Sequence, residues 1–221
     1  VLGGIPAYLI KFSGRDVFSN INEKILKKGE VLYEEPEFIL REELREPTNY
    51  FSIIKAISLG NTRINEISQI SYLPVVKIPR YLGVLERLNI VKREVPITER
   101  NPARSKKGLY KIQDNLFRFW FRYVYPNKSD IEEGKVDLVL EKTIKPSFDQ
   151  FVSYVFEDIS RQGLLELSKQ RKLPMDFTKI GKWWHKGDEI DLVALNELTK
   201  EILFAECKWQ TQKVGMELIE E

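Results

Sequence analysis

The stretch GDEIDLVALNELTKEILFAECKW, residues 187–209, constrains the fold of this chain more than any other. Residues 190–195 and 202–205 are apolar apart from Asp191, and a polar segment of six residues separates the two runs. Short apolar runs on either side of a polar turn are typical of two paired strands. The stretch therefore predicts a β-hairpin.

The turn length fixes a register for this hairpin. If the turn spans Asn196 to Glu201, the facing pairs are Leu195 with Ile202, Val193 with Phe204, Asp191 with Glu206, and Glu189 with Lys208. Side chains alternate between faces, so the four charged residues share one face. Two carboxylates opposed across a ladder repel each other, and a divalent cation relieves this repulsion better than a lysine does.

This arrangement indicates a site for cleaving phosphodiesters. We interpret Asp191 and Glu206 as ligands of Mg²⁺, the Cys207 carbonyl as a third ligand, and Lys208 as the catalytic cation. The alternative is a hairpin whose rim charges form salt bridges only, from Lys208 to Glu206 or to Glu189. The spacing leaves both open, because 33 acidic and 35 basic residues produce many chance D…E-x-K matches.

Composition excludes several other classes of protein and of metal site. The net charge of +2 gives no global basicity, so any nucleic-acid site must come from local clustering. One cysteine, Cys207, excludes an intramolecular disulfide framework and favours a reducing, cytoplasmic location. One histidine, His185, cannot build a zinc site with it, and we expect His185 in a loop before the hairpin. No apolar run is long enough to span a membrane.

Residues 49–126 predict a winged helix-turn-helix domain. Three amphipathic helices, within 49–60, 63–71 and 77–88, precede a basic hairpin. The third helix could enter a major groove of duplex DNA while the wing contacts phosphates. The basic side chains predicted to bind DNA are Lys77, Arg80, Arg87, Arg100, Arg104, Lys106 and Lys107. Winged helices also dock proteins, so this alternative stays open.

An aromatic helix, DNLFRFWFRYVYPN at 114–127, closes this segment. Its apolar residues repeat at helical spacing and are interpreted as the packed seam between domains; they are Leu116, Phe117, Trp120, Phe121 and Val124. If the chain docks a protein instead of DNA, this helix is the expected contact surface.

The rest of the chain divides around this segment. Residues 1–48 read as short helical pieces too small to bury their own core. Residues 127–137, NKSDIEEGKVD, read as a linker. A long helix follows, predicted to bury Phe148, Phe151, Val152, Val155, Phe156 and Ile159. With the hairpin it makes residues 127–221 an α/β domain, and the fold class of the chain is α/β plus α.

GDEIDLVAL followed by AECKW resembles the PD-(D/E)xK, restriction-endonuclease-like superfamily. More narrowly, GKWWHKGDEIDLVALNE…EILFAECKW resembles the domain of unknown function at the C-terminus of archaeal and bacterial AAA+/STAND-type ATPases. GGIPAYL is similar to the GG-x-P motif of their lid region, and KKGLYKIQDNLFRFWFRYVYPN to the close of their winged helix.

The resemblance implies a C-terminal piece of such an ATPase. It makes 1–48 a lid remnant and 127–221 a nuclease-like domain, and it implies that Glu157 on the preceding helix is a further catalytic acid. A solvated role for Glu157 stays open. The chain has no G-x-x-x-x-G-K-[ST], so ATP would bind only in a missing N-terminal domain, near Gly3, Gly4 and Pro6.

The expected function is therefore that of an ATPase fragment that binds duplex DNA through the winged helix and cuts it with Mg²⁺. The alternatives are a non-catalytic DNA-binding module and a protein-docking module of a STAND-like switch. Self-association is left open by the sequence.

Overall fold

A computed structural model describes residues 1–212, which form two compact units. The first unit holds 1–94 and 108–147, and the second holds 95–107 and the residues from 148 onward. This division differs from the three predicted domains. Residues 1–48 belong to the first unit, where the Trp120 indole N–H donates to the Tyr33 carbonyl (2.7 Å). The loop 95–107 belongs to the second, where the Ile97 N–H donates to the Lys182 carbonyl (2.9 Å).

The first unit begins with short helices, as the sequence predicts. They are α1 (Pro6–Leu9), α2 (Val17–Asn20), a π-helical turn (Ile21–Ile25) and α3 (Val31–Glu43). The Asp16 side chain caps α2 by accepting from the N–H groups of Phe18 and Ser19. Some of its apolar side chains, among them Ile21, Ile25 and Leu40, lie in the core of the unit, because the segment buries too little surface alone.

The predicted helices and hairpin of residues 49–112 are confirmed as elements. They are α4 (Pro47–Ser58), α5 (Ile64–Ser71), α6 (Ile78–Arg87), β1 (Val91–Glu94) and β2 (Leu109–Ile112). The two strands pair antiparallel, with Val91 opposite Ile112. The α6 helix buries Ile78, Leu82 and Leu85. Assignment of these elements to the winged-helix class stays a prediction.

The aromatic helix is packed inside the first unit. Its α7 (Asn115–Phe119) continues through a π-helical turn (Trp120–Val124) and a 3-10 turn (Tyr125–Asn127). All five predicted apolar residues are buried: Leu116, Phe117, Trp120, Phe121 and Val124. Trp120 and Phe121 pack against the Phe51 ring of α4. Packing of these side chains is confirmed, but it lies inside the first unit, and their predicted position at a seam between domains is not confirmed. A docking surface made of them is contradicted, because they are at most 3% exposed.

The predicted linker at 127–137 is wrong. This segment forms α8 (Lys128–Glu132) and the start of α9 (Val136–Val139), which continues as a π-helical turn (Leu140–Ile144) and a 3-10 turn (Lys145–Ser147). The buried side chains of Ile131 and Val139 explain the difference. Apolar residues so widely spaced are hard to recognise as a helical stripe, yet burial of a few of them holds both helices on the core.

The second unit combines one long helix with an antiparallel sheet. Its helix α10 (Phe148–Lys169) precedes β3 (Lys179–His185), β4 (Asp188–Asn196) and β5 (Glu201–Ala205), which lie in the order β3-β4-β5. The predicted register is confirmed, since Leu195 pairs with Ile202 and Val193 with Phe204. Assignment to the restriction-endonuclease-like class stays a prediction.

Two details of this unit differ from expectation. His185 ends β3 opposite Asp188 and does not lie in a loop, because a two-residue turn directly connects β3 and β4. Of the six α10 residues predicted to be buried, only Phe151 is buried and Ile159 is 56% exposed. The other four are half-buried: Phe148, Val152, Val155 and Phe156. Among the described residues, no helix is both long and apolar enough to cross a lipid bilayer.

Candidate functional site

The end of the β4–β5 ladder determines where the E-x-K segment, Glu206–Lys208, lies. The last pair of the ladder is Leu192 with Ala205. Glu206 and Lys208 therefore lie beyond the ladder, and the prediction that they directly oppose Asp191 and Glu189 is wrong. The chain nevertheless stays beside β4, because the Cys207 N–H donates to Asp191 Oδ2 (2.9 Å). This hydrogen bond holds the segment next to the predicted acid.

A second anchor holds the same segment on α10. The Trp209 indole N–H donates to Asp149 Oδ1 (3.1 Å), and its ring packs on Phe156 with 5.6 Å between the ring centroids. The residues on either side of Lys208 are thus tied to β4 and to α10. Their backbone is positioned although no strand pairing continues past Ala205.

Lys208 forms one of the two ion pairs that the sequence left open. Its Nζ lies 2.7 Å from Glu206 Oε1, and both side chains are about 40% exposed. Exposed pairs of this kind contribute about 0–1 kcal/mol, so this contact is easily exchanged for another. The salt-bridge interpretation is confirmed in geometry, and it leaves the Lys208 ammonium close to the predicted ligands.

Glu157 does not lie on a solvated face. Its side chain is 15% exposed and forms an ion pair with Lys182 of β3, which is 13% exposed. Lys182 Nζ also lies 3.3 Å from Glu189 Oε1. Burial alone lowers the pKa of Lys182, but Glu157 and Glu189 outweigh burial and raise it above its usual value. Lys182 is therefore a cation held among carboxylates.

A β-bulge lies at this position. Gly181 pairs with Val193 and Trp183 with Ile190, so Asp191 and Leu192 of β4 together oppose Lys182 of β3. A bulge changes the alternation of side chains and frequently occurs next to active sites, where it redirects one of them. Here it brings the predicted ligand Asp191 and the lysine Lys182 to the same rung of the sheet.

The pKa of the Cys207 thiol depends on the acidic side chains around it. Burial raises its pKa, a hydrogen bond with Ser160 lowers it, and the carboxylates of Asp191, Glu157 and Glu206 raise it further. The thiol is half-buried. Three carboxylates from α10, β4 and the E-x-K segment thus lie within electrostatic reach of one sulfur.

The oxygen atoms of Asp191, Glu206 and the Cys207 carbonyl are of the type that binds a hard divalent cation. Mg²⁺ is usually held by one or two carboxylates, with waters and substrate oxygens completing its shell. Asp191 and Glu206 with the Cys207 carbonyl offer that set, provided that Lys208 leaves Glu206. The described residues contain no group of three or more His, Cys, Asp or Glu side chains arranged around a metal position.

The predicted DNA-binding residues are all exposed, and they divide between the two units. Lys77, Arg80 and Arg87 lie on or next to α6 in the first unit. The other four belong to the loop 95–107 of the second unit: Arg100, Arg104, Lys106 and Lys107. In this loop Lys107 Nζ lies 2.7 Å from Glu99 Oε1. Each unit thus has a basic surface of its own.

Sequence reasoning missed Lys182 and its contacts. The alternation of β3 marks Lys182 only as a charged residue between glycine and tryptophan, in IGKWW. A lysine between apolar neighbours in a strand is a signal, since a shielded ammonium needs a carboxylate partner. The sequence does not say which of the nearby acids supplies it.

Comparisons with known proteins place the chain among proteins of unknown function. No solved structure matches it significantly. The chain is 40% identical over 210 residues to the uncharacterized protein MJECL04 of Methanocaldococcus jannaschii, a match that covers 95% of this chain and 46% of that protein. The chain thus spans about half the length of the curated relative that it matches. Residues 120–219 match the family model DUF234, described as archaea bacterial proteins of unknown function.

Proposed function

We propose that the second unit is a metal-dependent nuclease domain that cleaves phosphodiester bonds of DNA. The observation that carries the proposal is the hydrogen bond from the Cys207 N–H to Asp191 Oδ2, which holds the Glu206–Lys208 ion pair beside Asp191. Two carboxylates from separate segments, with an ammonium next to one of them, are the groups that a metal-dependent phosphodiesterase site needs. Acids placed side by side repel each other unless a cation binds, which supports a role beyond folding.

Asp191, Glu206, Cys207 and Lys208 have distinct roles in this proposal. Asp191 and Glu206 would hold Mg²⁺ together with the Cys207 carbonyl, and the ion would supply charge neutralisation at the phosphate and a more acidic water. Lys208 exchanges its contact with Glu206 for an oxygen of the scissile phosphate and offsets the charge that develops there. Asp191 also keeps the segment in place through the Cys207 N–H.

The basic surfaces would bring duplex DNA to this site. Arg80 and Arg87 on α6 and the basic residues of loop 95–107 are exposed and suited to phosphate contacts. Control by a P-loop ATPase domain is part of the same proposal. The relative MJECL04 is long enough to carry a further domain outside the match.

Cleavage of supercoiled plasmid tests the nuclease function. The wild-type chain should nick plasmid only when Mg²⁺ or Mn²⁺ is added. Asp191→Ala and Lys208→Ala should each lower the rate by about 100-fold or more, as expected when a transition-state contact is removed. Lys179→Ala is the matched control, because this exposed lysine of β3 pairs with Glu197 instead. Equal, metal-independent nicking by all four proteins would remove the proposal.

A second candidate function is docking of another protein by the first unit. The segment between α5 and α6 exposes three large apolar side chains, Tyr72 at 93%, Val76 at 82% and Val75 at 43%. Neighbouring exposed apolar side chains favour a protein contact over a phosphate contact. Loss of partner binding or self-association in Tyr72→Ser, with DNA affinity unchanged, would favour docking.

A further inference from the structure

The second unit contains a half-buried ion pair that the proposed reaction does not use. Lys182 contacts Glu157 and Glu189, and the side chains of Lys182 and Glu157 are 13% and 15% exposed. Burying two charges costs several kcal/mol per ion before their attraction is counted. A neutral pair of similar volume would pack with less desolvation, so the ion pair calls for an explanation other than stability.

The location of Lys182 supplies this explanation. The bulge sets Lys182 opposite Asp191, and its ion pair takes up the carboxylate of Glu157. Lys182 thus lies between its ion-pair partner Glu157 and Asp191, which in turn accepts from the Cys207 N–H next to Glu206. Glu157, Asp191 and Glu206 are called the carboxylate cluster below. The Lys182 ammonium is thus a positive charge in the region of the chain where a divalent cation would be attracted.

We propose that Lys182 is the resident counter-cation of the carboxylate cluster. It is a positioning residue that holds Glu157 in place. Its ammonium also competes with a divalent cation for the negative charge of the cluster. The ion pair keeps the acids together when no metal is bound. The affinity for metal is correspondingly reduced, so that metal and substrate phosphate bind together more readily than metal alone. The inference rests on the proposed function in one respect, the binding of a divalent cation by these residues.

Titration with Mn²⁺ alone, without DNA, tests this role. Free Mn²⁺ is measured by electron paramagnetic resonance for the wild type, Lys182→Met, Lys182→Arg and Lys179→Met. Lys182→Met removes the charge but keeps the length of the side chain, and it should bind Mn²⁺ about tenfold more tightly. Lys182→Arg should resemble the wild type. Lys179→Met removes an equal charge from the same strand, and it should change the affinity by less than about twofold, because its ion pair with Glu197 is exposed.

Stability measurements keep the test valid if one variant folds poorly. Lys182→Met leaves the Glu157 carboxylate buried without this partner, so its unfolding temperature should fall by about 5–10 °C. Should it not fold, Glu157→Gln is compared with the Lys182→Met/Glu157→Gln double variant. Removing Lys182 from Glu157→Gln should then tighten Mn²⁺ binding by about tenfold and raise the unfolding temperature.

The outcomes separate this inference from the proposed function. A change in unfolding temperature without a change in Mn²⁺ affinity would make Lys182 a structural residue only and overturn the inference. Absence of Mn²⁺ binding in every variant would overturn it as well. Tighter Mn²⁺ binding by Lys182→Met, combined with failure to cleave plasmid, would support the counter-cation and remove the nuclease.

Discussion

The Cys207 main-chain N–H donates a hydrogen bond to Asp191 Oδ2 at 2.9 Å, just beyond the last pair of the β4–β5 ladder. This contact gives Asp191 a structural role in addition to its proposed role as a metal ligand. A fall in activity after substitution of Asp191 could therefore arise from either role. Two substitutions at this position separate them.

Asp191→Ala should lower the free energy of unfolding by about 1.5–3 kcal/mol, because it removes a charged acceptor from the Cys207 N–H. Asp191→Asn retains an oxygen acceptor and should lose only about 1 kcal/mol, while it removes the negative charge needed by a metal. Urea unfolding followed by circular dichroism measures both values. If Asn destabilises the protein as much as Ala does, the hydrogen bond depends on the charge and not on the acceptor alone.

A second prediction concerns acid stability and the β1–β2 hairpin. Lys92 and Lys111 face each other across the ladder, and Glu94 contacts both, at 2.8 and 3.1 Å from their Nζ atoms. Burial alone raises the pKa of Glu94, but the two ammonium groups outweigh it and lower the pKa to about 2. A depressed pKa stabilises the fold above the unfolded value of 4.5, and this contribution is lost as the pH falls towards about 2.

Glu94→Gln should therefore lower the free energy of unfolding by up to about 3 kcal/mol at pH 7. The difference from the wild type should shrink below pH 4.5 and nearly vanish near pH 2. Urea unfolding at several pH values gives the comparison. Glu141→Gln is the control, since this exposed acid of the first unit pairs with Lys145 and should change stability by less than about 0.5 kcal/mol. A difference that is independent of pH would contradict the pKa argument.

The register of the hairpin could be predicted because local rules suffice for it. A period of two and a turn of six residues leave one pairing that keeps both apolar runs together, Leu195 with Ile202. The helices within residues 49–88 could be predicted equally well, since the spacing of their apolar residues repeats over several turns.

The carboxylate cluster could be predicted only in part. The bulge opposite Lys182 depends on how β3 pairs with β4, and no residue type in IGKWW requires it. The ion pair with Glu157 depends on how α10 packs on the sheet. The strand pattern also continues formally to Glu206, whereas the ladder stops at Ala205 as the chain turns towards α10. These features come from tertiary packing, which local patterns do not encode.

The turn between β3 and β4 leads to a third prediction. His185 pairs with Asp188, and the two residues between them, Lys186 and Gly187, have φ of 51° and 110°. Positive φ at both central residues is typical of a type I′ turn, in which Asn-Gly is strongly preferred. Lys186→Asn should stabilise the protein by about 0.5–1 kcal/mol, and Lys186→Val should destabilise it.

Thermal unfolding measures this effect. Lys172→Asn is the matched control, because this exposed lysine has an ordinary negative φ and should gain nothing. Equal stabilisation by both asparagine substitutions would indicate a general effect of removing positive charge and not of turn geometry.

The last prediction addresses DNA binding by α6. Arg80 and Arg87 are exposed on this helix, so each is expected to neutralise one phosphate when duplex binds. The Arg80→Ala/Arg87→Ala variant should bind labelled duplex more weakly at every sequence tested. The slope of log affinity against log salt should fall by about two, about one per arginine removed. Fluorescence anisotropy between about 50 and 200 mM NaCl provides both quantities.

Arg15→Ala is the control in the same unit, since Arg15 lies outside α6 and forms an exposed ion pair with Glu23. An unchanged affinity and slope in the double variant would exclude α6 from the DNA contact and leave the loop 95–107 as the remaining basic surface among those predicted.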